Sequence, residues 1–276
     1  MQIMRFLPAI LLLAYFPVLR AQEISDSSPG PPPVYTDNHV REYRFYPGGK
    51  IGISIDVPGN LKIIGWNRGS IRMEAEIKVH SPADEEKARN LLEKSPVRVR
   101  YTEATSTIQV AEAPELKGLL EVNMVVYAPG SRTDLVVQIK KGDFTIEAVS
   151  GWVEANVGEG NMELTSVDGY YSVKTLKGNI FTNLSGSRWN GQGLAAATHE
   201  GRIDLLMPEK YSALVQLDAQ NGEITVDYPS QEVEGELISP EVVVKKKAQH
   251  LRVRVGDGGA PLRLGTQSGD VSLKKK

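Results

Sequence analysis

Four histidines are the residues with the clearest capacity for acid–base or metal chemistry. His39, His80, His199 and His250 are scattered along the chain, and no two of them stand three or four residues apart. A metal site or a general base needs partners at short spacing or partners that the fold brings together. The spacing favours ordinary surface histidines, and the sequence predicts neither a metal site nor a cofactor site.

Two glutamates occupy the same position of a repeated pattern. Glu154 and Glu163 are nine residues apart, each three places after a glycine. Stacking of the units would place them close together on an outer face, and paired carboxylates can hydrolyse glycosidic bonds. A solvated acidic ladder is the simpler interpretation, so no catalytic residue is predicted. A carbohydrate-active enzyme built on a β-helix stays open as the alternative.

Aromatic residues are the candidates for surface contact. Trp152, Tyr170, Phe181 and Trp189 lie in or beside the repeats, and exposed rings bind sugars and protein surfaces by stacking. The same rings could instead cap the coils or cover a sheet edge. If these rings are contact residues, we expect them to bind an envelope polysaccharide or another envelope protein.

Composition excludes several classes of function. The 276 residues contain no cysteine, which excludes thiolate catalysis, disulfides and cysteine-ligated metals. The 32 Lys+Arg against 34 Asp+Glu leave a net charge of −2, whereas nucleic-acid binding requires a clustered cationic surface. No nucleic-acid partner is expected. The 26 Gly and 16 Pro indicate many tight turns between short elements.

Glycines recur every nine residues, at positions 142, 151, 160, 169 and 178. The residues two and four places after each glycine are almost all apolar, with polar residues between them, as in a short strand with one buried face. One unit is too short to bury that face alone. We therefore predict that the region 141–276 has an all-β fold whose units stack as a β-helix-like solenoid. If the repeat is eighteen residues long, each coil contains two strands. An antiparallel β-sandwich or meander is the alternative.

The region 41–140 is predicted to be β-rich with one short helix. Apolar residues alternate with other residues at 51–57 and 71–79, which is typical of strands with one buried face. Ser81 and Pro82 precede a run of acids, and these are the signals of a helix near 82–94.

The first 40 residues carry targeting and spacer signals. The apolar run from Phe6 to Leu19 is too short for a membrane span but suits a signal peptide. We predict a signal peptide over 1–21, with retention as an anchor as the alternative, and a Pro-rich disordered tether over 22–40. The protein is expected in the periplasm or at the cell surface, without a transmembrane span after cleavage.

The repeat also resembles a known family. The pattern Gly-[Asp/Asn]-apolar-x-apolar, as in Gly142-Asp143-Phe144-Thr145-Ile146 and Gly269-Asp270-Val271, is similar to a bacterial β-strand-repeat family of unknown function whose members are called putative adhesins. The resemblance covers about residues 130–276. It implies an exported all-β bacterial protein and supplies no catalytic residues.

These features together predict a protein of the bacterial envelope with a non-catalytic adhesive, scaffolding or polymer- or protein-binding role. A second alternative beside the β-helix enzyme is an envelope sensor or regulatory protein that binds its partner through the N-terminal half.

Overall fold

The computed structural model describes residues 34–80, 85–93, 96–111, 114, 117–228, 232–233, 236–237, 244–246 and 250–276. The predicted signal peptide and the first part of the predicted tether lie outside these residues. Within the described part, the protein is all-β apart from the helix α1 (Glu85–Glu93), which lies inside the predicted 82–94 segment.

The strands of the described part follow in chain order. They are β1 (Val34–Arg44), β2 (Lys50–Pro58), β3 (Leu61–Trp66), β4 (Ser70–His80), β5 (Val97–Tyr101), β6 (Thr105–Val110), β7 (Leu120–Pro129), β8 (Asp134–Lys141), β9 (Phe144–Glu147), β10 (Ser150–Glu159), β11 (Met162–Thr165), β12 (Asp168–Lys177), β13 (Ile180–Asn183), β14 (Gly193–Glu200), β15 (Ile203–Met207), β16 (Ala213–Asn221), β17 (Ile224–Asp227), β18 (Glu232–Val233), β19 (Glu236–Leu237), β20 (Val244–Lys246), β21 (His250–Val255), β22 (Pro261–Ser268) and β23 (Val271–Lys275).

Two large mixed sheets form a sandwich-like arrangement around one hydrophobic core. Sheet 1 has the order β1-β4-β7-β3-β9-β11-β13-β15-β23-β17-β20, and sheet 2 has the order β19-β18-β21-β16-β22-β14-β12-β10-β8-β2-β6-β5. Neither sheet closes on itself. The apolar residues that alternate along the strands point inward from both sheets, because period-two patterns place one face of each strand in the core.

Consecutive nine-residue units lie alternately in the two sheets. In sheet 2, Gly151 lies opposite Gly169, and in sheet 1, Met162 lies opposite Ile180, both in parallel pairs. Residues eighteen positions apart are therefore neighbours. Among the described strands, antiparallel pairs occur toward the ends of the sheets, as between β1 and β4 or β16 and β21. The repeat units themselves pair in parallel, unlike those of a meander.

The repeat begins earlier in the chain than its sequence pattern predicts. β2 pairs in parallel with β8, and β3 pairs in parallel with β9, so the N-terminal region supplies a further unit of the same stack. The segment Gly59-Asn60-Leu61-Lys62-Ile63 carries the glycine-led motif. Because this copy lies far from the regular run, the nine-residue spacing of glycines does not identify it as part of the repeat.

The edge strand β1 corrects the predicted tether. Residues 34–40, which the Pro-rich composition assigns to the tether, lie in β1 and pair with β4. The strand is difficult to recognise because Asp37 and His39, on its inward side, are polar. Charged groups on an edge strand are one way in which proteins discourage further pairing.

A column of glycines forms one corner of the stack. A Cβ placed on Gly160, whose φ is +149°, would lie 2.0 Å from the carbonyl oxygen of Gly142. The same clash would occur at Gly178 against Gly160 and at Gly201 against Gly178. Because the backbones approach so closely, glycine is required at this corner in each successive unit.

Hydrogen bonds between successive units support the glycine corner. Buried threonine hydroxyls donate to the glycine carbonyls, as from Thr175 to Gly160 at 3.1 Å. At the residue after each glycine, the backbone N–H donates a hydrogen bond to a side-chain oxygen of the neighbouring unit. This Asx ladder runs from Asn123 to Asn60, Asp143, Asn161, Asn179 and Arg202 at 2.7 to 3.0 Å.

Replacement of one glycine tests the stacking. Gly160→Ala is expected to lower the free energy of unfolding by about 3 kcal/mol or more, because the methyl group clashes with a backbone carbonyl in a conformation reserved for glycine. Denaturant unfolding monitored by circular dichroism measures this loss in the free energy of unfolding.

The matched control is Gly186→Ala. Gly186 also has a positive φ, +78°, but an added Cβ meets no atom within 4 Å. Only backbone strain remains there, and the expected loss is about 1 kcal/mol. Equal losses in the two variants would contradict the close approach at Gly160.

Candidate functional site

The outer face of sheet 2 carries a pair of aromatic rings, of which Trp152 is exposed and Tyr170 is half-buried. Trp152 of β10 and Tyr170 of β12 are register partners, with ring centroids 4.2 Å apart and planes tilted by 35°. The Trp152 side chain is 43% exposed. Its Nε1 donates a hydrogen bond to the Glu154 carboxylate at 3.0 Å, which fixes the orientation of the indole ring. The pair offers a preformed apolar platform to solvent.

A groove lies further along the same strands. It has a volume of about 470 Å³, and its described lining residues are Asp56, Gln138, Ile139, Lys140, Asn156, Val157, Gly158, Lys174, Thr175 and Leu176. Gly158 approaches the Lys140 backbone so closely that a Cβ on it would lie 2.4 Å from the Lys140 carbonyl oxygen. Leu176, 65% exposed, adds an apolar surface among ammonium and amide groups.

The rings and the groove belong to one continuous face. Asn156 lies four residues along β10 from Trp152, a distance of about 13 Å in an extended strand. Between the rings and the groove, Glu154 lies opposite Ser172. At the groove, Asn156 lies opposite Lys174. A ligand along these strands would meet rings first, then a carboxylate and a hydroxyl, and then amide and ammonium donors.

Two of the four predicted aromatic contacts are not part of this face. Trp189 is only 4% exposed, packs edge-on against Tyr171, and donates to the Gly169 carbonyl at 2.9 Å. Phe181 lies in β13 of sheet 1, on the opposite side of the molecule. The structure therefore brings together Trp152 and Tyr170 alone, and Trp189 has a packing role.

The expected closeness of Glu154 and Glu163 is wrong. Glu154 lies in β10 of sheet 2, whereas Glu163 lies in β11 of sheet 1. Consecutive units alternate between sheets, so equal positions nine residues apart point to opposite outer faces. Only residues eighteen apart share a face, and the two carboxylates cannot act as a pair.

The histidines are distributed over the surface. In the described part of the chain, no group of three or more His, Asp or Glu side chains could hold a metal ion. Three histidines each lie beside one carboxylate: His39 beside Asp37, His80 beside Glu121 and His250 beside Asp218.

Sheet 1 carries a second aromatic pair, which the sequence patterns did not indicate. The rings of Trp66 and Tyr127 are 5.3 Å apart, and the Arg68 guanidinium lies 5.0 Å from the Trp66 ring centroid. Trp66 also donates to the Ser70 carbonyl at 2.8 Å. Because a cation already covers this indole, the pair is less available to a ligand than Trp152 and Tyr170.

A buried carboxylate on sheet 1 stabilises the C-terminal strand. Asp204, 7% exposed, accepts hydrogen bonds from Lys274 Nζ at 2.8 Å and from the Ser272 hydroxyl, and pairs with Arg202 at 2.7 Å. Burial acts to raise the pKa of Asp204, but the hydrogen bonds from Lys274 and Ser272 and the two positive charges outweigh it and lower the pKa.

Comparison with known proteins yields structural similarities only. No family model matches the chain, and no curated protein matches its sequence. The chain is similar to a putative cell adhesion protein from Clostridium sporogenes, with a TM-score of 0.44 and 12% identity over 87% of this chain and 100% of that one. It is also similar to a putative adhesin from Bacteroides fragilis, with a TM-score of 0.37 and 12% identity over 87% and 97% of the two chains.

A third similar structure is a putative lipid binding protein from Parabacteroides distasonis, with a TM-score of 0.23 and 8% identity over 87% of this chain and 97% of that one. Two of these three proteins are described as adhesion proteins. In the part of the chain that the structure describes, no helix has the length and apolar character needed to cross a membrane.

The Asp204 cluster predicts a pH dependence of stability. A lowered pKa means that the carboxylate stabilises the fold above its unfolded pKa of about 3.9, and that this contribution is lost as the pH falls through the folded value. Asp204→Asn is expected to lower the free energy of unfolding at pH 7 by about 2 kcal/mol. The difference from wild type should shrink below about pH 4.

Urea unfolding at a series of pH values measures this difference. Asp227→Asn, at an exposed position of sheet 1, is the control and should change stability by less than about 0.5 kcal/mol. A deficit in Asp204→Asn that is constant from pH 7 to pH 3 would show that the charge of Asp204 is not what stabilises the fold.

Proposed function

We propose that the protein is an exported, non-catalytic component of the bacterial envelope that binds a polysaccharide through the outer face of sheet 2. The observation that carries the proposal is the exposed Trp152 ring, packed on the half-buried Tyr170, in line with the polar groove. Aromatic rings pack against the apolar faces of sugars, and neighbouring polar groups bond their hydroxyls.

The chemistry of the face suits a neutral or acidic polymer. Gln138 and Asn156 present amides that both donate and accept hydrogen bonds, and Lys140 and Lys174 present ammonium groups. These side chains project from paired strands, whose backbones are already ordered. Binding would therefore cost little backbone entropy, which favours a preformed platform.

We further infer that the repeat forms a flattened β-helix with eighteen residues and two strands per coil. The parallel register of β10 with β12 and of β11 with β13 supports this arrangement. In such a stack, each added coil lengthens the outer face by one strand spacing of about 4.8 Å. A linear polymer could then contact several coils at once.

The distribution of acids supports binding rather than hydrolysis. Glycoside hydrolysis requires two carboxylates flanking the scissile bond. Of the described residues that line the groove, Asp56 alone carries a carboxylate. Glu154 is engaged by the Trp152 indole, and Glu163 lies on the other sheet.

A binding screen with product analysis tests the proposal. The purified protein is applied to immobilised envelope polysaccharides, and each polymer is then examined for shortened products. We expect retention without cleavage. Trp152→Ala should weaken binding about tenfold or more, since loss of a stacking platform costs 1–2 kcal/mol or more, whereas Trp152→Phe should retain most of it.

Tyr46→Ala is the matched control, because Tyr46 is an exposed aromatic residue, 48% accessible, outside the proposed face. It should leave binding unchanged. Polymer cleavage would refute the non-catalytic role. Equal loss of binding in Tyr46→Ala and Trp152→Ala would refute the assignment to this face.

A further inference from the structure

The last two strands of the chain occupy a position that sequence order does not predict. β22 lies between β14 and β16 in sheet 2, and β23 lies between β15 and β17 in sheet 1. All four pairings are parallel. The segment 261–275 is thus a complete coil inserted between two coils that precede it in the chain.

The two coils that flank this one come before it in the chain, because β14 to β17 precede β22 and β23. The short connection 208–212 links β15 to β16 and skips one strand position in each sheet. The Ser212 N–H donates to the Ser187 carbonyl at 2.8 Å, and Arg188 forms a bridge with Ser212, so the enlarged 186–193 loop holds this connection in place. The two flanking coils therefore lie one strand position apart in each sheet, and we call the space between them the slot.

An empty slot would leave both flanking coils incomplete. The Gly201 N–H donates to the Ser268 carbonyl at 2.9 Å, and the Gly269 N–H donates to the Asn221 carbonyl at 3.1 Å. The inserted coil also buries four aliphatic side chains completely: Leu262, Leu264, Val271 and Leu273. Without it, four strand edges and an apolar channel face solvent, and such edges recruit strands.

The inserted coil is joined to the rest by a turn rich in glycine. Gly256-Asp257-Gly258-Gly259 separates β21 from β22, and the Gly258 N–H bonds the Val255 carbonyl at 3.0 Å. Three glycines allow the chain to leave this turn in more than one direction.

We propose that the slot is a binding site for residues 261–275 of a second copy of this chain. The contacts that this segment makes with the flanking coils identify it as the occupant of the slot. The segment brings Gly269 into the glycine column, Asp270 onto the Glu223 N–H at 2.8 Å, and Lys274 onto Asp204. The same contacts form whether the segment comes from its own chain or from a neighbour, which is the condition for domain swapping.

Exchange yields oligomers of this protein by a route that does not depend on the outer face of sheet 2. The contacts are equal in the two states, so protein concentration and the conformation of the 256–259 turn decide between them. Chains that fold at high concentration are expected to exchange the segment more often than chains that fold when dilute.

Cysteine pairs distinguish the two states, since the chain has no cysteine of its own. Ala195 and Arg263 are exposed register partners across the β14–β22 boundary, at a separation that a disulfide can bridge. An Ala195→Cys chain and an Arg263→Cys chain of different tag length are unfolded, refolded together and oxidised. Non-reducing electrophoresis then separates mixed dimers by size.

We expect a mixed dimer whose yield rises with protein concentration during refolding. The matched control uses Asn156→Cys with Lys174→Cys, exposed partners in the consecutive coils of β10 and β12, which should give mixed dimers only at the background level. The double variant A195C/R263C must form a disulfide within one chain on dilute refolding, which verifies the geometry.

A double variant that closes its disulfide within one chain, together with mixed dimers no more abundant than the control at every concentration, would overturn the proposal. Failure of polysaccharide binding would leave this result unaffected, because the two experiments use different surfaces.

Discussion

The close approach of backbones at the glycine corner is the constraint on which the rest of the structure depends. Each glycine lies against the carbonyl of the glycine in the neighbouring coil, at a distance that leaves no room for a Cβ. This contact aligns the repeat strands of both sheets in parallel register. The Asx ladder and the buried threonines then satisfy the polar groups that so tight a corner would otherwise leave unpaired.

A fixed register determines what each outer face presents. Consecutive units face opposite sides, so the eighteen-residue period, rather than the nine-residue spacing of glycines, decides which side chains become neighbours. Trp152 and Tyr170 meet because they are eighteen apart, and Glu154 and Glu163 separate because they are nine apart. The same register allows a coil from the end of the chain to fill a slot in the middle of the stack.

Much of the fold follows from local pattern. Period-two alternation identifies the buried faces of β2 and β4, and the acids after Pro82 indicate α1 near its observed position. The pattern could not show that the stack begins at β2, since one isolated motif carries little signal. It also could not place β22 and β23, because their neighbours are selected by shape complementarity in three dimensions rather than by sequence order.

The candidate site was predictable only in part. Composition and spacing point to exposed aromatics, but burial of Trp189 depends on its contacts with Tyr171 and Gly169, which lie about twenty residues away in the chain. The groove is lined by residues of β2, β8, β10 and β12, which only the parallel register brings side by side. The sequence thus indicates the kind of surface, and the register decides which residues form it.

The binding of polysaccharide to the outer face of sheet 2 is tested most directly by hydroxyl-radical footprinting. The purified protein is oxidised with and without a total envelope polysaccharide extract. Polysaccharide is expected to reduce oxidation of Trp152, Tyr170 and Leu176, while Trp66 and Tyr127 on the opposite sheet react as before. Buried Trp189 serves as an internal reference with low reactivity in both states. Protection confined to the opposite sheet, or unchanged oxidation of Trp152 and Tyr170, would contradict the assignment of sheet 2 as the binding face.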